Sequence, residues 1–197
     1  SLYKKKSVGK ICSNAKILIL DKKFKKNSTN KIGQIACYTP LLLKKYYNND
    51  KLTSKSFFKK YFLTGDLGYI DKDNYLFFSS RKKDVIISSG MNIYPSDIEK
   101  EILKNKFVKE CIVIGINDKY FGEAIFAVCL INKLKNFKKI ENNLINNILK
   151  NLAPFQQPIG YKFVDKFQYL SSGKINKIFY KDYYNSLDLD LSYKLRS

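Results

Sequence analysis

The short polar run Arg81-Lys82-Lys83-Asp84 separates two stretches of chain that follow different hydrophobic patterns. Upstream, "KILILD" at 16–21 and "GQIACYT" at 33–39 are β-branched, apolar runs separated by the polar, turn-rich "KKFKKNSTNK", a pattern of two strands and a loop. "LGYIDKDNYLFF" then holds two aromatic-rich runs joined by Asp71-Lys72-Asp73-Asn74. Asp and Asn tolerate turn geometry, so this segment predicts a hairpin, and everything before the polar run is expected to be mostly β.

Downstream the pattern changes. A short strand "VIIS" is followed by a break at Gly90, and Pro95-Ser96 opens a helix in which Ser96 and Glu99 have capping-box spacing. Ile98, Ile102 and Leu103 form its expected apolar stripe, and the capping box is expected to account for Glu99 without any chemistry. The strands "ECIVIGI" and "EAIFAVCLI" come next, then a helix with Ile140, Leu144 and Ile148 at i, i+4, i+8. A strand around "YKFVD" and a last helix from about Lys177 complete this half, giving an α+β fold whose polar run is a linker between two modules, 1–82 and 83–197.

At 197 residues, with 45% hydrophobic and 15% aromatic side chains, the chain suits one domain or two small ones and can bury a core. The longest apolar run, Ala124–Ile131, is far short of the ~20 residues that span a bilayer, and the N-terminus lacks a signal-peptide pattern. A soluble, cytoplasmic protein is expected. Cys12, Cys37, Cys111 and Cys129 form no CxxC pair, and the last three sit in strand-like runs where buried, reduced thiols are the ordinary finding.

The absence of histidine excludes Ser-His-Asp and Cys-His nucleophiles, imidazole acid–base catalysis and the usual zinc ligand sets, so no metal site is expected. Any chemistry rests on Lys, Arg, Asp, Glu or backbone groups. The net charge of +20 comes from lysines spread along the chain rather than gathered into a stripe, which argues for compositional bias over a specific nucleic-acid partner. A basic nucleic-acid-binding module stays open as the rival.

"YLSSGKINK" at 169–177 has the look of half a nucleotide-binding loop, but a Walker A loop needs Gly where Gln168 stands and Ser or Thr where Ile175 stands. It is not a P-loop. With three other stretches it nevertheless forms an ordered set: "YFLTGDLGYID" at 61–71, "SSRKKDVIISSGMNIYPSDIEKEI" at 79–102, "VIGINDKYFGEAIFAVCL" at 113–130 and "SSGKINK" at 171–177. The set resembles the C-terminal portion of the adenylate-forming (AMP-binding) superfamily, which includes acyl- and aryl-CoA synthetases. The resemblance covers nearly the whole chain.

It implies that residues 1–82 are the β-rich end of a large N-terminal domain and 83–197 a small, mobile α+β C-terminal domain. It also implies an ATP-dependent acid–thiol ligase, an acyl-CoA synthetase-like enzyme that forms an acyl-adenylate and passes the acyl group to CoA. The chemistry suits a chain without histidine, because a carboxylate nucleophile is already ionised at neutral pH and the barrier is charge crowding at phosphorus. By resemblance Lys174, after Gly173, is the catalytic lysine, Asp66 holds the ribose of the nucleotide, and Arg81 contacts ribose or phosphate. Lys83 is the hinge about which the small domain swings, and Gly90 lies beside the pantetheine arm of CoA, a position that a simple turn or β-bulge explains as well.

Two departures qualify the resemblance. The chain lacks the phosphate loop and the "YG-x-[ST]-E" stretch that supplies the Mg2+ ligand, and it starts without Met. It is therefore expected to be the C-terminal part of a longer enzyme or one piece of a split one, inactive alone and partnered by an N-terminal AMP-binding part. Second, Gln156 in "PFQQPIGYKF" replaces the lysine of the "FK-x-P" pattern of many CoA-using members. "SSGKI" is nearer the CoA-ligase form than the "NGK" of peptide synthetases, yet a carrier-protein acceptor, a non-catalytic remnant and a partner subunit stay open. The acyl substrate is not readable.

Overall fold

The computed structural model describes residues 4–131, 142 and 149–187. The chain divides into two compact units, Ser1–Lys83 and Asp84–Ser197.

Among the described residues the first unit is built on a six-stranded sheet. Its strands are β1 (Gly9–Lys10), β2 (Lys16–Leu20), β3 (Gly33–Tyr38), β4 (Phe57–Phe58), β5 (Tyr61–Ile70) and β6 (Tyr75–Arg81). They are ordered β1-β6-β5-β3-β2 with β4 on β5, and every pairing is antiparallel. A short helix α1 (Asp50–Ser56) precedes β4, capped by Asn49, whose side chain accepts from the Leu52 N–H at 2.9 Å. The β5–β6 hairpin turns where expected. Asp71 Oδ1 accepts the N–H groups of Asp73 and Tyr75 at 2.9 and 3.0 Å, Asn74 takes φ 63°, and Lys4 Nζ pairs with Asp71 Oδ2 at 2.5 Å. The core here is small: Ile19, Ile35 and Leu76, with Ile17 and Ile70 against them.

The second unit holds β7 (Ile86–Ser88), β8 (Met91–Ile93), helix α2 (Pro95–Ile102), β9 (Val108–Asp118), β10 (Gly122–Ile131), β11 (Gly160–Val164) and helix α3 (Lys177–Ser186). β10 is the central strand: antiparallel to β9 along its whole length, parallel to β11, and touching β7 at Gly122–Ser88. Residues alternate between the faces of a strand, so the unbroken apolar runs of β9 and β10 mean burial on both sides. One face packs Cys111, Val113, Ile125 and Ala127 with Ile98 and Ile102 of α2. The other packs Ile112, Ile114, Phe126 and Val128 with Tyr180 and Tyr184 of α3.

Two sequence expectations fail in this unit. The N-cap of α2 is Tyr94, whose side chain makes no capping hydrogen bond, so Ser96 lies inside the helix and the Ser96–Glu99 capping box does not form. Leu103 follows the last helical residue and is 44% exposed, leaving Ile98 and Ile102 as the buried stripe. The helix expected around Ile140, Leu144 and Ile148 lies outside the described residues. Among the described residues no helix is long and apolar enough to cross a membrane.

Candidate functional site

In the first unit the Thr-Gly-Asp sequence makes a bulge. Gln34 faces Leu67 and Ala36 faces Leu63, so β5 carries extra residues opposite Ile35. Gly65 takes φ 76°, which an L side chain resists, and Thr64 Oγ1 fills the gap in the ladder by donating to Ile35 O at 2.9 Å while accepting from Asp66 N at 3.0 Å. Asp66 is thereby set out of register with β3 while opposite Arg81 on β6. Arg81 Nε stands 2.7 Å from Asp66 Oδ1, an ion pair off the line of a hydrogen bond, so this buried oxygen accepts none among the described residues. A half-buried carboxylate with free acceptor capacity suits a ligand's hydroxyl groups. The structure thus brings the two expected nucleotide-binding residues into direct contact, a pairing that sequence reasoning missed.

Lys83 is exposed in a 3-10 turn, Lys82–Asp84, at the boundary between the units, while its neighbour Lys82 donates to Gln34 Oε1 at 3.1 Å.

In the second unit Gly90, at φ 77°, follows Ser89, at φ 49°, in the two-residue turn of the β7–β8 hairpin, and a Cβ added to Gly90 would meet nothing within 4 Å. Turn geometry therefore explains this glycine without a ligand, and open space beside it admits one. A pocket of ≈ 100 Å³ flanks the turn, lined by Ser88, Ser89, Met91, Phe121, Phe155 and Ile159 among others. Gln156 belongs to the 3-10 turn Pro154–Gln156, its N–H donating to Ala153 O at 2.8 Å.

Lys174 lies on a closed loop. Tyr169 and Ile175 form an antiparallel bridge, Leu170 N donates to Lys174 O at 2.8 Å, Gly173 N donates to Leu170 O at 2.9 Å, and Gly173 takes φ 76°. Asn176 then caps α3 by accepting from Phe179 N at 3.1 Å. The backbone of the loop is fixed while the Lys174 side chain is exposed and has no hydrogen-bond or ion-pair partner among the described residues.

Glu99 does have work that its expected capping role concealed. Its Oε1 accepts from Val113 N of β9 at 2.9 Å and from Lys177 Nζ of α3 at 2.8 Å. Val113 and Lys177 lie 14 and 78 residues away, beyond the reach of any local pattern. Of the four cysteines, Cys12 is exposed, Cys37 half-buried, and Cys111 and Cys129 buried as facing thiols 3.6 Å apart. The hydrogen bond from Cys129 and burial hold the Cys111 thiol well above its ordinary value, so it stays protonated. Among the described residues no group of three His, Cys, Asp or Glu side chains converges to hold a metal.

The α+β fold of the second unit agrees with the family comparison. Residues 97–174 match the family described as the AMP-binding enzyme C-terminal domain. The chain belongs to the adenylate-forming superfamily, is acyl-CoA synthetase-like, and covers the C-terminal portion of such enzymes. It is 38% identical over 145 residues to the 2-succinylbenzoate–CoA ligase of Listeria monocytogenes, matching 74% of this chain and 30% of that one. To the long-chain-fatty-acid–CoA ligase of Bacillus subtilis it is 31% identical over 144 residues, 73% of this chain and 25% of that one. The o-succinylbenzoate CoA synthetase MenE from Bacillus subtilis, solved in complex with the acyl-adenylate intermediate OSB-AMP, matches with TM-score 0.82 and 29% identity over 91% of this chain and 36% of that one. The chain thus spans about a quarter to a third of the length of the curated relatives, 25% and 30% for these two.

Proposed function

We propose that this chain supplies the nucleotide-clasping hairpin and the catalytic lysine of an ATP-dependent acyl or aryl acid ligase whose phosphate loop and Mg2+-binding glutamate lie in an N-terminal part, in the same or a separate chain. One observation carries the reading: Lys174 has an ammonium with no partner among the described residues, on a backbone-locked glycine loop at the end of the segment that matches the AMP-binding enzyme C-terminal domain. When bound, ATP supplies the phosphoanhydride that a carboxylate attacks at the α-phosphorus, releasing pyrophosphate and leaving an acyl-adenylate.

Asp66, paired with Arg81 yet only partly buried, accepts the ribose hydroxyls through its carboxylate. Arg81 pairs with that carboxylate and offers its remaining N–H groups to ribose or phosphate. Lys174 meets the carboxylate and the α-phosphate together, lowering the charge repulsion that grows as they approach. Lys83 is the hinge that then carries Lys174 away. Gly90 gives a thin arm room to pass, beside a small pocket that flanks the turn. CoA is the acceptor preferred by the names of the relatives, and the acid is a small-molecule carboxylic acid whose pocket lies elsewhere.

The test is reconstitution. This chain mixed with, or fused to, its N-terminal AMP-binding part should catalyse acid-dependent exchange of pyrophosphate into ATP and CoA thioester formation, and this chain alone should do neither. Exchange catalysed by the chain alone, or none by the reconstituted enzyme with any of a panel of aliphatic and aromatic acids, contradicts the reading.

A further inference from the structure

Helix α3 begins three residues after Lys174, and its first residue, Lys177, is a cation at a helix N-terminus, where the macrodipole disfavours positive charge. Glu99 offsets that penalty by taking Lys177 Nζ at 2.8 Å, and the same oxygen receives Val113 N from the middle of β9 at 2.9 Å. One turn further along α3 the arrangement repeats with different partners: Lys181 Nζ meets Glu123 Oε1 at 2.7 Å, and Glu123 Oε2 accepts Ile87 N at 2.8 Å. Gly115 makes that second clasp possible, since a Cβ there would come within 2.9 Å of Glu123 Oε1. Both lysines are therefore held by a carboxylate that is itself anchored to strand backbone.

The geometry points to Glu99 as a positioning residue for Lys174, acting through Lys177; this rests on the reading of Lys174 given above. Only Ile175 and Asn176 separate the two lysines. Asn176 is pinned on both sides, its N–H donating to Gln168 O at 2.8 Å and its side chain capping α3, so a shift of Lys177 passes directly into the loop. Glu123 holds the helix four residues later, where the loop is insulated by the first turn. The two ion pairs are similarly sheltered, with side-chain exposures of 33% and 19% for Lys177–Glu99 and 44% and 22% for Lys181–Glu123, so each is the natural control for the other. If α3 needed only to be docked, loss of either pair would act alike. If the pair at Glu99 sets the aim of Lys174, only that pair governs adenylation.

The experiment compares Glu99→Gln, Lys177→Met, Lys177→Arg and Lys181→Met in the enzyme complete with its N-terminal part. Misaligning a catalytic group by about an ångström costs up to ~10²-fold, so Glu99→Gln and Lys177→Met should lower adenylation kcat by roughly 10- to 10²-fold. The KM for ATP and the conversion of supplied acyl-adenylate to thioester should stay near the parent's, Lys177→Arg should recover most of the loss, and Lys181→Met should keep near-parent adenylation. Equal losses for Lys177→Met and Lys181→Met, no recovery with arginine, an equal loss in the thioester step, or no loss at all each overturn the inference. Should the parent enzyme itself show no adenylation, the failure belongs to the proposed function, and amide exchange of this chain decides the positioning separately. Faster exchange at Leu170, Gly173 and Asn176 in Lys177→Met but not in Lys181→Met supports the coupling, and the same exchange in both refutes it.

Discussion

The two units protect their sheets in different ways. In the second, β9 and β10 are buried along most of their length on both faces, with α2 over one and α3 over the other. In the first, β5 has ten residues of which Gly68 alone is fully buried, and the apolar cluster is confined to a few side chains. The stability of the first unit therefore leans on ladder bonds, the Thr64 bulge and the Asp71 turn, and that of the second on packed volume. The proposed roles follow the same division. A half-covered hairpin leaves Asp66 and Arg81 within reach of a ligand, whereas a lysine that must be aimed is mounted on a loop tied to a sandwiched sheet.

Core truncation separates the two units most directly. Ile98→Ala, at a fully buried position between α2 and the sheet, should cost about 3–5 kcal/mol, because the surrounding sandwich cannot collapse into the space. Ile35→Ala in the first unit should cost about 2 kcal/mol, the low end for such a change, because its partly covered neighbours can relax. Denaturant unfolding followed by probes specific to each unit measures both, and equal costs would mean that the first sheet is as tightly packed as the second.

Solution pH sharpens the same contrast. The hydrogen bond from Lys4 lowers the pKa of Asp71, so the stability it lends the hairpin is present above the ordinary carboxylate value of about 3.9 and is lost as pH falls through the lowered one. In the second unit burial pushes Tyr184 up to about 12 and raises Tyr161 further. Their contribution is complete below the ordinary tyrosine value of about 10 and is lost as pH rises from there through the raised values. Acid should loosen the first unit first, alkali the second; amide exchange read separately over residues 61–81 and 108–131 checks the order, and simultaneous loosening at both extremes would deny it.

The smallest effect expected is at the Gly90 turn. Gly90→Ala meets no neighbour but must hold φ near 77°, a strain of about 1–2 kcal/mol. In the complete enzyme it should slow thioester formation more than adenylation, if the arm of CoA passes that turn. An unchanged thioester rate would leave Gly90 a turn residue and nothing more.

Much of this was legible in the sequence, for identifiable reasons. The strands of both units were marked by β-branched runs, the hairpin by the turn chemistry of Asp71 and Asn74, and the buried side of α2 by Ile98 and Ile102. The errors came where a local rule met a distant partner. Ser96 and Glu99 have capping-box spacing, but the chain extends through Tyr94 and starts the helix at Pro95, leaving Glu99 free to reach β9 and α3. Likewise the motifs singled out Asp66 and Arg81 one by one, while their contact depends on a bulge that shifts the β5–β6 register between Leu67 and Gly68. The Thr-Gly-Asp run was the available signal only for the separate β3–β5 bulge that sets Asp66, since a glycine inside a strand pattern marks such a bulge, whereas the β5–β6 shift has its extra residue, Ser79, on β6.

Lys174 is proposed to serve adenylation and to be absent from the thioester step. Lys174→Ala in the complete enzyme removes a donor strongest in the transition state, and losses of ~10²–10³ in the rate of adenylation are typical of one such group. The measurement is the two half-reactions side by side: acid-dependent pyrophosphate exchange, and thioester formation from supplied acyl-adenylate. The first is expected to collapse while the second stays close to the parent rate. Equal losses in both, or no loss in either, would contradict it.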